Sequence, residues 1–156
     1  MRIPTETEKQ ELVFTRVFDA PRSLVFKAWT EPERLAQWWG PHHFTNPVCE
    51  VDARTGGSLR IHMRAPDGTV YPMTGTFEEI VEPEKIVFSS RPLDAQGNPM
   101  FETLTTVILA EQGNKTKLTL RTKVVQITDA AAPYLKGMEA GWTQSLERLA
   151  EQVAKG

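Results

Sequence analysis

His42, His43, His62 and Cys49 are the residues of this chain best able to hold a metal or move a proton. Nitrogen and sulfur donors suit zinc. Their spacing matches no compact zinc motif, however, and two adjacent histidines rarely reach one ion, so no metal site is expected. His62 alternates with Arg60 and Arg64, which places it on the solvated face of a strand. His42 follows Gly40-Pro41 and is the better candidate for a hydrogen bond at a pocket mouth. No nucleophile emerges: Ser23, Ser58, Ser89 and Ser90 lie in no elbow motif, and Cys49 has no evident base beside it. Gly56-Gly57 reads as a hairpin element, because the strand-loop-helix setting of a phosphate cradle is absent. General acid–base work would need a carboxylate or histidine turned into a cavity, and the sequence singles out none.

The aromatic residues point elsewhere. Trp38 and Trp39 are adjacent, and adjacent helix positions point about 100° apart, so the two indoles cannot share a face. One is expected in the core and the other at the mouth of a cavity, where an amphipathic ring suits an aromatic ligand. Trp142 lies between Met138 and Leu146 on one helical face, and the pliable methionine suits a pocket wall. Leu59, Ile61 and Met63 share one face of an alternating strand. With His42, these make the candidate cavity set: Trp38, Trp39, His42, Leu59, Ile61, Met63, Met138, Trp142 and Leu146. Gly137 and Gly141 stand one helical turn apart, each costing up to about 1 kcal/mol against alanine. Close backbone packing is the expected reason, with room for a ligand the alternative. Lys136, Glu139 and Glu147 exclude a membrane dimer there. Arg54, Arg60, Arg64, Arg91 and Arg121 are expected on the solvated sheet surface, and a buried one would signal an anionic ligand group or an internal salt bridge.

The bulk numbers bound the class. A chain of 156 residues is read as one domain, 1–156, with an ordered core of about 11–153. Twenty acidic residues against 18 basic ones leave no basic stripe, so no nucleic-acid partner is expected. No apolar run reaches membrane-spanning length, and Met1–Gln10 lacks a signal-peptide core. With a single cysteine, a reducing compartment and hence a cytoplasmic location is expected. No cofactor is implied. A homodimer through a sheet edge or the surface beside Trp39 is compatible with the pattern.

Those residues must be held by elements that the patterning also suggests. Glu11–Phe18 reads as a strand. Two short helices follow, one opened by Pro21 with Asp19 as cap, the next capped by Thr30 and closed by Gly40-Pro41. Strands are then expected over about 44–51, 58–65, 70–81, 86–90, 100–109 and 115–125, joined as hairpins. Gly56-Gly57 and Gly75 are the expected bends. The longest periodic stretch, about Asp129–Val153, repeats Leu135, Met138, Trp142, Leu146, Leu149 and Val153 as one helix face. The expected fold is α+β: a curved antiparallel sheet of about six to seven strands wrapped around a long C-terminal helix, a helix-grip arrangement.

Local motifs carry a resemblance. Phe18-Asp19-Ala20-Pro21, Val25 through Glu33 (VFKAWTEPE), Leu35 through Pro41 (LAQWWGP), Asp52 through Gly57 (DARTGG), Pro66-Asp67-Gly68, Gly75 through Ile80 (GTFEEI) and Gly141-Trp142 form the set. From about Leu12 to Val153 the chain resembles the START-like, or birch-pollen-allergen-like, superfamily (SRPBCC). The branch is that related to the C-terminal domain of activators of a heat-shock-protein ATPase, in its small bacterial stand-alone form. The resemblance implies a helix-grip fold and a cavity for an apolar molecule. Members include carriers, cyclases or dehydratases, and binders of protein clients. ATPase activation goes with an additional N-terminal domain, for which this chain has no expected room, so it is not carried over. The leading expectation is a binding module for a hydrophobic or aromatic small molecule. The alternatives are an enzyme on a hydrophobic substrate and a chaperone-associated interaction module.

Overall fold

Alternation along the strands decides the architecture. In the computed structural model, residues 11–127 and 137–155 are described. The strands are β1 (Glu11–Phe18), β2 (Thr45–Val51), β3 (Ser58–Arg64), β4 (Val70–Val81), β5 (Lys85–Pro92), β6 (Phe101–Gln112) and β7 (Lys115–Ile127). They form one antiparallel sheet in the order β1-β7-β6-β5-β4-β3-β2. β2 to β7 are a meander, and β1 closes against its last strand. Every second residue turns inward: Phe14 and Phe18, Leu118 and Leu120, Val107 and Leu109, Ile86 and Phe88, Met73 and Phe77, Leu59 and Ile61 are all buried.

Among the described residues, three helices cover that face: α1 (Arg22–Thr30), α2 (Pro32–Trp38) and α3 (Met138–Ala154). α1 buries Val25, Phe26, Ala28 and Trp29, α2 buries Leu35 and Trp38, and α3 buries Leu146, Leu149 and Val153. Trp38 is fully enclosed, and its indole N–H donates to the Ala28 carbonyl at 2.9 Å, tying α2 to α1. The expected fold class is therefore the observed one.

Several local expectations need correction. Pro21, not Asp19, is the N-cap of α1, and its carbonyl accepts from Leu24 and Val25. Thr30 caps nothing: its hydroxyl turns back to the Phe26 carbonyl at 3.0 Å, which leaves Glu31 before Pro32 at the N-terminus of α2. α3 begins at Met138 with Gly137 as its N-cap. Glycine is acceptable at a cap and costly inside a helix. The rest of the helix expected from Asp129, including Pro133 and Leu135, lies outside the described residues. The bulge near Gly75 sits slightly further on, at Phe77–Glu79. Gly75 itself marks a close crossing, since a Cβ there would collide with the Ser89 carbonyl. Gly56 does take a positive φ of 86°, and its turn docks on β4, with the Gly56 N–H donating to the Phe77 carbonyl at 2.7 Å.

Candidate binding cleft

The sheet is longer than the core that fills it. Toward one end, beneath the first two turns of α3, the facing surfaces separate and leave a cleft of about 400 Å³. Met63, Tyr71, Met73 and Phe101 come from strand positions on the inner face. Met138, Gly141, Trp142 and Ser145 come from α3, spaced at three and four as one helical face. Trp39, Gly40, Pro41 and Phe44 form the lip. Four of the five methionines of the chain, Met63, Met73, Met100 and Met138, line this one space. Their unbranched thioethers can follow the outline of an irregular occupant.

The lip is held by a half-buried polar network. The guanidinium of Arg148 donates to five carbonyls: Trp39 at 3.1 Å, Gly40 at 3.0 Å, Pro41 at 2.9 Å, Gln37 at 3.0 Å and Phe44 at 3.1 Å. The planar fork of arginine suits this task, and lysine could not reproduce it. Burial lowers the Arg148 pKa, with Glu151 opposing. Gly40 donates its N–H to Ser145 Oγ at 3.1 Å, and His42 donates its N–H to Gln144 Oε1 at 3.0 Å. Gly40 has φ of 95°, and a Cβ there would press on Met63 Sδ. One side of α3 thus fixes the loop that shapes the cleft mouth.

The adjacent tryptophans divide as their helical geometry requires. Trp38 points into the closed core and is absent from the cleft. Trp39, half-buried, lines it and meets Trp142 edge-on, with centroids 5.5 Å apart and planes at 78°. Trp142 also stacks on Trp29 at 6.2 Å. Such pairs are worth about 0.5–1.5 kcal/mol beyond the area they bury. They fix the two cleft indoles without enclosing them.

Of the candidate set, Trp39, Met63, Met138 and Trp142 come together in the cleft. Leu59 and Ile61 share the inner face with Met63 but sit further along β3, inside the packed core. Leu146 lies one turn beyond Trp142 and is likewise core. His42 belongs to the fastening of the loop: its Nε2 lies 2.9 Å from Glu147 Oε1, on the exposed side of α3. Gly141 reverses the close-packing expectation, because among the described residues a Cβ there would meet nothing within 4 Å. Its missing side chain opens the cleft. Tyr71, Met73, Phe101, Ser90 and Thr103 were not singled out by the sequence. The phase of strand alternation was the available signal, and it groups Tyr71 with Met73 and Phe101 with Thr103, but it does not tell open space from packed core along one face.

The polar inventory of the cleft is small. Ser90 Oγ and Thr103 Oγ1 lie 2.7 Å apart on neighbouring strands, where Ser90 and Thr103 are paired. Among the described lining residues there is no Asp, Glu, His, Lys or Arg. The sheet arginines are engaged elsewhere: Arg91 with Glu102, Arg54 with Asp52, Arg60 with Glu50, and Arg121 with Glu11. Among the described residues no three His, Cys, Asp or Glu side chains are grouped to hold a metal. The Cys49 thiol is pushed up to about 11, first by burial and then by the charge of Glu33. It is a thiol, not a thiolate, at neutral pH. Among the described residues no helix is long and apolar enough to cross a membrane.

A curved antiparallel sheet gripping a C-terminal helix, open at one end, defines a helix-grip protein. The family model described as "Activator of Hsp90 ATPase homolog 1-like protein" matches residues 19–154, and the chain belongs to that family. It is similar to a Chromobacterium violaceum protein of known crystal structure, with 32% identity, 92% of this chain and 96% of that chain covered, and a TM-score of 0.79. An Arthrobacter aurescens protein solved by NMR has a TM-score of 0.84 at 24% identity, covering 99% of this chain and 92% of that one. A Silicibacter pomeroyi protein has a TM-score of 0.80, also at 24% identity, covering 93% and 98%. No curated protein matches the chain.

Proposed function

We propose that this protein is a binding module for a hydrophobic or aromatic small molecule held between the sheet and the N-terminal half of α3. The observation that carries the reading is the cleft wall: four methionines, two tryptophans and no ionisable acid–base pair among its described residues. A space of about 400 Å³ falls in the range that encloses drug-sized ligands. The same inventory weighs against cyclase- or dehydratase-like chemistry, which needs a proton donor or acceptor near the substrate. An interaction surface has weaker support. Exposed Val13 and Val17 on β1 stand opposite Arg121 and Lys117 instead of forming part of an apolar sheet face.

Native mass spectrometry of protein purified from its own host, with solvent extraction of the bound fraction, tests this reading. A reproducible adduct of one small apolar compound is expected. The reading fails if the protein is recovered without an adduct and small aromatic probes do not bind it.

A further inference from the structure

The cleft is apolar but not featureless, and its hydroxyl groups say what an occupant should carry. Ser90 Oγ and Thr103 Oγ1 are 2.7 Å apart, so one hydroxyl donates to the other. Two hydroxyls hold two protons, and that bond uses one. Among the described residues no protein group accepts the second. Thr103 is 4% exposed and Ser90 is half-buried, so whichever of the two keeps the surplus proton holds it on the cleft wall. Across the cleft, Ser145 Oγ accepts the Gly40 N–H at 3.1 Å, and its own proton is likewise uncommitted among the described residues. Ser145 is 5% exposed. Unpaired buried donors are costly, and a ligand acceptor would relieve that cost.

Charge completes the description. No cation lines the described wall, and the nearby Arg148 spends both terminal nitrogens on loop carbonyls. A carboxylate entering this space would lose its water without gaining a counter-ion. Resting on the binding reading above, we infer that the ligand is an uncharged aromatic molecule whose carbonyl or equivalent acceptor oxygen is received by the Ser90–Thr103 hydroxyl pair. Selection against acids then comes from the missing cation, and selection among neutral molecules comes from the hydroxyl pair.

Three probes of nearly one shape test this by equilibrium dialysis at pH 8: 2-acetylnaphthalene, 2-isopropylnaphthalene and 2-naphthoate. The ketone is expected to bind at least tenfold more tightly than the carboxylate. In Ser90→Ala/Thr103→Val the ketone should weaken about five- to tenfold, the loss of one neutral hydrogen bond, while the hydrocarbon is unchanged. Circular dichroism checks the fold of the double variant. Should it not fold, Ser90→Ala alone, at the less buried partner, reads out the same ketone-to-hydrocarbon ratio. Naphthoate binding as tightly as the ketone, or a variant that weakens ketone and hydrocarbon alike, overturns the inference. Hydrocarbon binding without ketone binding overturns it too while sparing the binding reading. If none of the three binds, both readings fall together.

Discussion

α3 covers two regions that share one helix and one sheet yet differ in what fills them. Its C-terminal half presents Leu146, Leu149 and Val153 to a packed core with Phe77, Ile86, Phe88 and Leu118. Its N-terminal half presents Met138, Gly141, Trp142 and Ser145 to open space. The branched aliphatic residues of the first set interlock at the density of a solid. The second set combines a missing side chain, a pliable thioether and a ring held edge-on. One half is built for stability, and the other spends some of that stability on shape.

Substitutions should separate the halves. Trp38→Ala in the closed half removes a fully buried indole and its bond to Ala28. It should cost about 3–5 kcal/mol in urea unfolding. Leu149→Ala, in the same half, should cost about 2–5 kcal/mol. Met138→Ala, half-buried in the cleft wall, should cost less than about 1.5 kcal/mol, since less surface leaves an apolar environment. Equal losses for the Leu149 and Met138 variants would erase the distinction.

Arg148 joins the regions, because it projects from the C-terminal half of α3, one residue before Leu149, yet holds the lip of the cleft. Arg148→Ala should destabilise by about 2–3 kcal/mol, as several carbonyls lose a charged donor. Amide exchange at Gly40 should accelerate more than at Leu118 in the sheet. Arg148→Lys should recover only part of the loss, since an ammonium cannot reach the same five oxygens.

Gly141→Ala should stabilise by about 0.5–1 kcal/mol, because the new methyl meets none of the described residues and the helix gains propensity. Gly141→Leu should keep the fold and abolish probe binding by filling the cleft. Added bulk in the closed half, as in Ala28→Leu, should instead cost about 1–3 kcal/mol by overpacking. Destabilisation by Gly141→Ala would mean that the helix needs the glycine for packing.

The smallest effect concerns pH. Cys49 has an ordinary value of 9.0 that the fold raises to about 11, so folding favours the neutral thiol. Its contribution is fully present below pH 9 and declines as pH rises from 9 to 11. Cys49→Ser should remove that alkaline slope and leave the stability profile below pH 8 as it is in the parent protein. Alkylation at pH 8 should be slower in the folded protein than in urea.

Much of the fold could be read from local pattern. β1 and β4 run over the segments expected from β-former runs, and α1 and α2 follow the proline punctuation. The site was less legible. Trp39, Met63, Met138 and Trp142 could be picked out because their types and spacing suggested a wall. Tyr71, Ser90, Phe101 and Thr103 could not, since alternation tells which residues share a face but not where along that face the helix leaves open space. His42 looked like a mouth residue from its place after Gly40-Pro41. It instead meets Glu147, more than a hundred positions away, through a contact no local pattern encodes.

The sequence by itself determined the periodicities, and with them an antiparallel sheet, an amphipathic closing helix and a chain without evident nucleophile or metal motif. These follow from short-range geometry, in which side chains two, three and four residues apart must share a face. Only the tertiary structure decided where that shared face is filled and where it is left open. Leu146 and Trp142 lie one turn apart on the same stripe, yet one meets packed side chains and the other meets space. That difference depends on how far the curved sheet stands from the helix at each turn, a distance set by bulges, loop fastenings and Gly141 acting together.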